Sequence, residues 1–231
     1  YLEEGLDFTG TKLISNKKIA VFSGHECAKI PDSIMACDHI CEQLLPNSAL
    51  GKKHYLAPFH GRGEFAVRVL INEDNTDIHV NGEWYDLLND KQMYEQIDFD
   101  KPVFIETKKP ASVYQYAKGN EDGGENLGDP FMIKILPEKY FKKSYSFTIP
   151  DFEDYEHYVN LFVPEKAMQS LRLDGKKIKQ GSLEVFGDIG YLAVIMKITP
   201  GKHRIECEQP FGIYFYGFSQ KDNVYEPYGH N

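Results

Sequence analysis

Thr107-Lys108-Lys109-Pro110 leads into the alternating Val113-Tyr114-Gln115-Tyr116, then Gly119. Glu208-Gln209-Pro210 leads in the same way into Phe211-Gly212-Ile213-Tyr214-Phe215-Tyr216-Gly217. Alternation of aromatic and smaller residues is the period of a strand whose successive side chains point to opposite faces. A third segment of this kind, Ser15-Asn16-Lys17-Lys18 followed by Ile19-Ala20-Val21-Phe22-Ser23-Gly24, stands near the N-terminus. Aligning Lys18, Pro110 and Pro210 spaces the three by 92 and 100 residues.

The repetition extends upstream of these strands. Leu45-Pro46, Lys52-Lys53-His54-Tyr55 and Ala57-Pro58 recur as Leu136-Pro137, Lys142-Lys143-Ser144-Tyr145 and Ile149-Pro150, at offsets of 90 to 92 residues. Val80-Asn81-Gly82 recurs as Leu173-Asp174-Gly175 at an offset of 93. Self-similarity at a fixed spacing predicts repeated structural units. The expectation is an all-β chain of two tandem antiparallel β-sandwich units related by internal duplication. Residues 25–119 form the first unit and 120–231 the second, and residues 1–24 are the tail strands of a preceding one. A first residue of Tyr, without a signal peptide, fits a fragment or a processed product.

Local signals support the strands. Phe65, Val67, Val69 and Ile71 alternate along one face, Asn72 to Asn75 is a turn cluster, and Asn81-Gly82 is a hairpin signal. Tyr158 to Val163, Leu171 to Leu173 and Asp174-Gly175 repeat that plan, with a hairpin expected around Pro200-Gly201. Helical signal is confined to short stretches, Asp38 to Leu45 and Pro137 to Phe141.

Composition narrows the partners. The 231 residues carry a net charge of −9 with no basic stripe, which disfavours nucleic acid and anionic membrane surfaces. No apolar run approaches the length of a membrane span, so no membrane insertion is expected. Aromatic residues make up 13%, with 15 Tyr and 15 Phe against one Trp, a bias that fits pleated, half-buried surfaces.

The densest polar constellation runs from His25-Glu26-Cys27 to Cys37-Asp38-His39-Ile40-Cys41-Glu42-Gln43. Three readings are open. His25, Asp38, His39 and a cysteine make a possible metal site. A cysteine and a histidine make a possible nucleophilic pair. Cys27 and Cys37 can instead close a disulfide loop that the histidines brace, at a gain of about 2–3 kcal/mol. That third reading is preferred, with no catalytic residue, metal or cofactor assigned. Cys41 and Cys207 remain, and a bridge between them is slightly favoured over free or intermolecular thiols.

Residues 120–129, with Asp122, Glu125 and Asp129, are acidic and glycine-rich as a calcium loop would be, but lack the EF-hand order. A solvated loop is the preferred reading. Tyr214, Phe215, Tyr216, Tyr225 and Tyr228 are either an aromatic binding face or core and cross-strand pairs.

Lys18-Ile19-Ala20-Val21-Phe22-Ser23-Gly24-His25-Glu26-Cys27, then Cys37-Asp38-His39, then Glu42-Gln43-Leu44-Leu45-Pro46 resembles the N-terminal domain of the IgGFc-binding proteins. The likeness runs from about residue 8 to the end. The resemblance implies a secreted, mucus-associated protein and places Cys27 and Cys37 where the family has paired cysteines. Lys18 replaces the usual proline, and Cys41 stands where an aliphatic residue is expected. Immunoglobulin binding belongs to the namesake and is not carried over. The functional expectation is an extracellular structural or adhesive module contacting other proteins, glycans or further copies of the same domain. The alternatives are a carbohydrate-active or metal-dependent enzyme and a calcium-dependent lectin.

Overall fold

The computed structural model describes residues 8–34, 37–89, 94–119, 129–178, 182–185, 189–219 and 227–230. They form three antiparallel sheets. The first is a hairpin of β1 (Phe22–Ala28) and β2 (Asp38–Gln43). The first unit holds β3 (Gly51–Leu56), β4 (Phe65–Ile71), β5 (Thr76–Val80), β6 (Glu83–Leu88), β7 (Tyr94–Phe99) and the long β8 (Val103–Ala117). After it comes β9 (Phe131–Ile135). The second unit holds β10 (Lys142–Ile149), β11 (Tyr155–Pro164), β12 (Arg172–Leu173), β13 (Lys176–Lys177), β14 (Ser182–Val185), β15 (Tyr191–Ile198) and the long β16 (Gly201–Ser219). β17 (Pro227–His230) pairs with β16.

The two units share one pairing plan. The first half of β8 lies between β3 and β5, and its second half lies between β4 and β9. The first half of β16 lies between β10 and β12, and its second half between β11 and β17. Even the irregularities coincide. Pairing jumps from Gly51↔Ala111 to Lys53↔Glu106, and from Lys142↔Phe211 to Ser144↔Glu206. Thr107-Lys108-Lys109-Pro110 and Cys207-Glu208-Gln209-Pro210 are thus bulged out at the same place, since proline cannot donate to a ladder. Lys53 corresponds to Ser144, one residue along from the Lys–Lys match seen in the sequence.

Asn81-Gly82 and Asp174-Gly175 both take positive φ, at 52° and 87° and at 50° and 76°. Two successive left-handed residues join twisted strands in a two-residue hairpin, which is why Asn, Asp and Gly stand there.

Packing unites the units. Phe65, Val67 and Val69 of β4 share a core with Val113 and Ala117 of β8 and with Ile133 and Ile135 of β9. Onto that face pack Tyr158, Phe162, Ala193, Ile195, Tyr214, Tyr216 and Phe218 of the second unit. The alternate residues of the same strands, Val159, Leu161, Val163, Val194 and Phe211, form a second core with Ile149 and Ile205. The sheet of the second unit is therefore buried on both faces at β11, which accounts for its continuous apolar run. On the far side of the first unit, Ala66, Tyr114 and Tyr116 are covered by Ile30, Ile40 and Leu44 of the N-terminal segment, with Met132. Each large apolar side chain so buried contributes roughly 1.5–3 kcal/mol.

Three local expectations are corrected. Asp38 to Gln43 is strand, not helix, because its alternating residues Ile40, Glu42 and Leu44 face the first unit. Pro200-Gly201 does not close a hairpin: β15 pairs with β11 and β14, whereas residues 201–206 pair with β10 and β12. The turn carries the chain across the curled sheet. Cys41 and Cys207 are both free, so no bridge joins them. Cys207 is a buried core residue at the position Thr107 holds in the first unit, with Sγ 3.2 Å from Ser170 Oγ.

Candidate binding site

The histidine- and cysteine-rich segment is a packing device. Cys27 and Cys37 are bridged, with Cα atoms 4.9 Å apart. The loop they close carries Ile30 onto Tyr114 and Tyr116, and the Ile30 carbonyl accepts the Gly119 amide at 2.8 Å. Glu42 reaches the first unit from β2. Its Oε1 accepts the Lys134 amide at 3.0 Å, and Lys134 Nζ donates to the Gln43 carbonyl at 2.9 Å. His25 Nδ1 accepts the Cys27 amide at 3.0 Å, and Asp38 Oδ1 accepts the His39 amide at 2.6 Å. These groups serve their own backbone. With both loop cysteines oxidised, neither is available as nucleophile or metal ligand. Among the described residues, no three His, Cys, Asp or Glu side chains gather to hold a metal.

Asp122 and Glu125 lie outside the described residues. Asp129 gives its carbonyl to Arg62 Nη2 at 2.8 Å, and Arg62 also donates to the Lys118 carbonyl at 2.9 Å. A fixed cation thus stands beside Asp129. Arg62 is buried, and its guanidinium lies over the rings of Phe131 and Phe218, so it joins the two units. Burial lowers its pKa to about 10, and the Asp129 charge opposes that fall. A lone arginine in the loop Gly61-Arg62-Gly63 carried no pattern that singled it out in the sequence.

Tyr214 and Tyr216 are core, not a surface patch. Tyr214 Oη donates to the Ala57 carbonyl at 2.8 Å, and the Gln115 amide donates to the same carbonyl at 2.8 Å. Asn160 Nδ2 donates to Tyr214 Oη at 2.9 Å and to the Pro58 carbonyl at 3.0 Å. Tyr216 Oη donates to Asn160 Oδ1 at 3.1 Å and accepts the His60 amide at 2.7 Å. This buried network fixes how residues 57–60 sit on the second unit, because each unmet partner inside the core would be costly. Tyr225 is outside the described residues.

A cleft of about 1220 Å³, which sequence reasoning missed, is lined by residues of both units. Gly51 and Pro137 form part of its wall. A Cβ on Gly51 would stand 2.2 Å from the Pro137 ring, so glycine permits this approach. Lys139 Nζ donates to the Leu50 carbonyl at 2.6 Å and ties the same wall. Tyr191 Oη donates to Glu138 Oε1 at 3.1 Å, and the Tyr191 ring lies 4.4 Å from that of Tyr55. Lys53 sits between Glu138 and Glu106, at 3.9 and 4.0 Å. Pro137, Phe141, Ile189 and Pro210 supply apolar lining. Burial, reinforced by the Glu138 charge, pushes Tyr191 up to about 12 and Tyr55 higher still. Both phenols remain neutral donors. Behind the cleft wall, burial and then the Lys139 charge lower His54 to about 3, so its imidazole is uncharged. These shifts move each group away from neutrality, whereas acid–base catalysis wants a group poised near it. The cleft offers hydrogen-bonding groups of both charges on an apolar floor, an arrangement suited to holding a ligand.

Fold and surface together define a two-unit antiparallel β protein with a preformed inter-unit cleft. The IgGFc binding protein family model matches residues 2–217, and the chain belongs to that family. It is 25% identical to the human IgGFc-binding protein over 184 residues, 77% of this chain and 3% of that protein. The chain thus spans a small part of that relative's length. Among solved structures, an apo lectin of Pleurotus ostreatus matches with a TM-score of 0.21 at 10% identity, over 78% of this chain and 74% of that one. A β-D-glucuronidase of Dictyoglomus thermophilum matches with a TM-score of 0.19 at 9% identity, over 93% of this chain and 44% of that one. No described helix is long and apolar enough to cross a membrane.

Proposed function

We propose that the chain is an extracellular, non-enzymatic binding module of a larger secreted or cell-surface protein, which contacts protein or glycan partners through the cleft between its units. The observation that carries this reading is the cleft wall of Tyr191, Glu138, Lys53 and Glu106, held in place by the packing of the two units. Exposed pairs of this kind add little stability, so their charges are free to serve recognition. Family membership supports a binding role. The oxidised Cys27–Cys37 loop fits an oxidising compartment, and the absence of a basic stripe fits neither nucleic acid nor membrane. The human relative is named for IgG Fc, which makes Fc one probe among several.

The test is biolayer interferometry of the whole chain against IgG Fc, mucin-type O-glycans and mucin polypeptide. One of these binds, and Lys53→Glu or Glu138→Lys weakens that binding about tenfold. Binding indifferent to both substitutions, or turnover of a glycoside by the chain, would sink this reading.

A further inference from the structure

The N-terminal hairpin repeats the relation that the end of each unit has with the strand after it. Phe22 pairs with Gln43 in β1–β2, and Tyr114 pairs with Lys134 in β8–β9, at offsets of 92 and 91 residues. β1 therefore occupies the place of the closing strands β8 and β16. Their C-terminal halves have neighbours on both edges, β4 and β9 for β8, β11 and β17 for β16. Among the described residues, β1 pairs with β2 alone. The Leu44 amide bonds to the Val21 carbonyl, so strand alternation turns the backbone of Phe22 and Gly24 toward the open edge.

Side chains tell the same story independently. Leu13 corresponds to Ile105 and Ile205, both 0% exposed, yet Leu13 is 60% exposed. Ile19 corresponds to Ala111 and Phe211, at 1% and 0%, yet Ile19 is 57% exposed. Positions that are core in two copies stand in water in the third, on a segment carrying the same pattern.

We propose that residues 11–24 are the closing strand of a further β unit of this same fold, and that a β4-type strand of that unit occupies the free edge of β1. The register follows from the repeat. Phe65↔Ala117 and Ile71↔Ala111 place such a strand antiparallel to the segment that runs from His25 in β1 back to Ile19 just before it. An unpaired edge with exposed apolar residues is a template for strand addition, and alternate apolar side chains on the incoming strand set the specificity. The hairpin already treats the first unit as that unit treats the second, with Ile40 on β2 covering Tyr114 and Tyr116 where Phe131 on β9 packs against Tyr216. This arrangement does not depend on which ligand the cleft takes.

The probe is a synthetic peptide of residues 64–72, added in excess to the whole chain and followed by amide hydrogen exchange. The expected result is slowed exchange at Phe22 to Glu26. Ile19→Asp weakens the effect about tenfold while leaving the unfolding midpoint unchanged, because Ile19 already faces water. No slowing at Phe22 to Glu26 overturns the proposal. So does protection confined to Val103–Ala117, which reports exchange with the chain's own β4. Protection of β1 already present without peptide and lost on dilution overturns it as well, since a second copy of the chain then covers the edge.

Discussion

Asp174 grips Arg204 twice: its amide donates to the Arg204 carbonyl at 2.8 Å, and its Oδ1 accepts the Arg204 amide at 2.8 Å. Asn81 does the same for Phe104 in the first unit, at 2.8 and 2.9 Å. In each unit the turn residue clamps the hairpin to the start of the long closing strand. Asp174→Ala and Asn81→Ala each lose that acceptor and put at the turn a residue that tolerates positive φ less well than Asp or Asn, at a cost of about 1–3 kcal/mol. Asp174→Asn keeps the acceptor and the tolerance of positive φ but not the charge, so it loses less stability than Asp174→Ala at neutral pH and no longer responds to the titration of this carboxyl. The Arg204 amide, and then His203, lower the Asp174 pKa, so its contribution is present above the ordinary carboxylate range and fades as pH falls through the lowered value. Denaturant unfolding of the variants at neutral and acidic pH measures all of this.

His54 makes stability depend on pH in a separate window. Its folded pKa of about 3 lies below the ordinary 6.5, so between those values the unfolded chain binds the extra proton. Stability is full above 6.5 and falls by up to about 1.4 kcal/mol per unit as pH drops toward 3. Among the described residues neither ring nitrogen has a hydrogen-bond partner, so an apolar replacement breaks no bond seen there. His54→Leu flattens that part of the profile. An unchanged slope in the variant would show that other groups set it.

Asn160 is the hub of the contact between units. Asn160→Ala removes the acceptor of the Tyr216 hydroxyl proton and the donor to the Pro58 carbonyl, and costs about 2–4 kcal/mol. Tyr214→Phe, which removes one hydroxyl, costs about 1–2 kcal/mol. Calorimetry separates a loss of global stability from an uncoupling of the units, which splits one transition into two.

Replacing Cys27 and Cys37 by serine together costs about 2–3 kcal/mol if the cystine acts on the unfolded chain alone. The structure adds a local signature: the Gly119 amide, bonded to the Ile30 carbonyl inside the clamped loop, loses exchange protection while the β11 amides keep theirs. Equal loss at both places would mean that the loop supports the whole fold.

The repeating plan, the strand alternation and the turns were legible in the order of residues. Asn81-Gly82, Asp174-Gly175 and Pro110/Pro210 act through short-range sterics that no distant residue can overrule. The spacing of Cys27 and Cys37 already favoured a disulfide loop, and the family resemblance pointed to the same pair, but nothing in the residues announced the cleft. Tertiary structure decided which strands became neighbours. Residues 201–206 left β15 for β10 and β12, Cys207 went into a core instead of toward Cys41, and Tyr214 met Ala57 across 157 residues of chain. A strand's own residues state that it has an apolar face. Which other face will cover it depends on how whole sheets curl and exclude water, and that is settled only when the units pack.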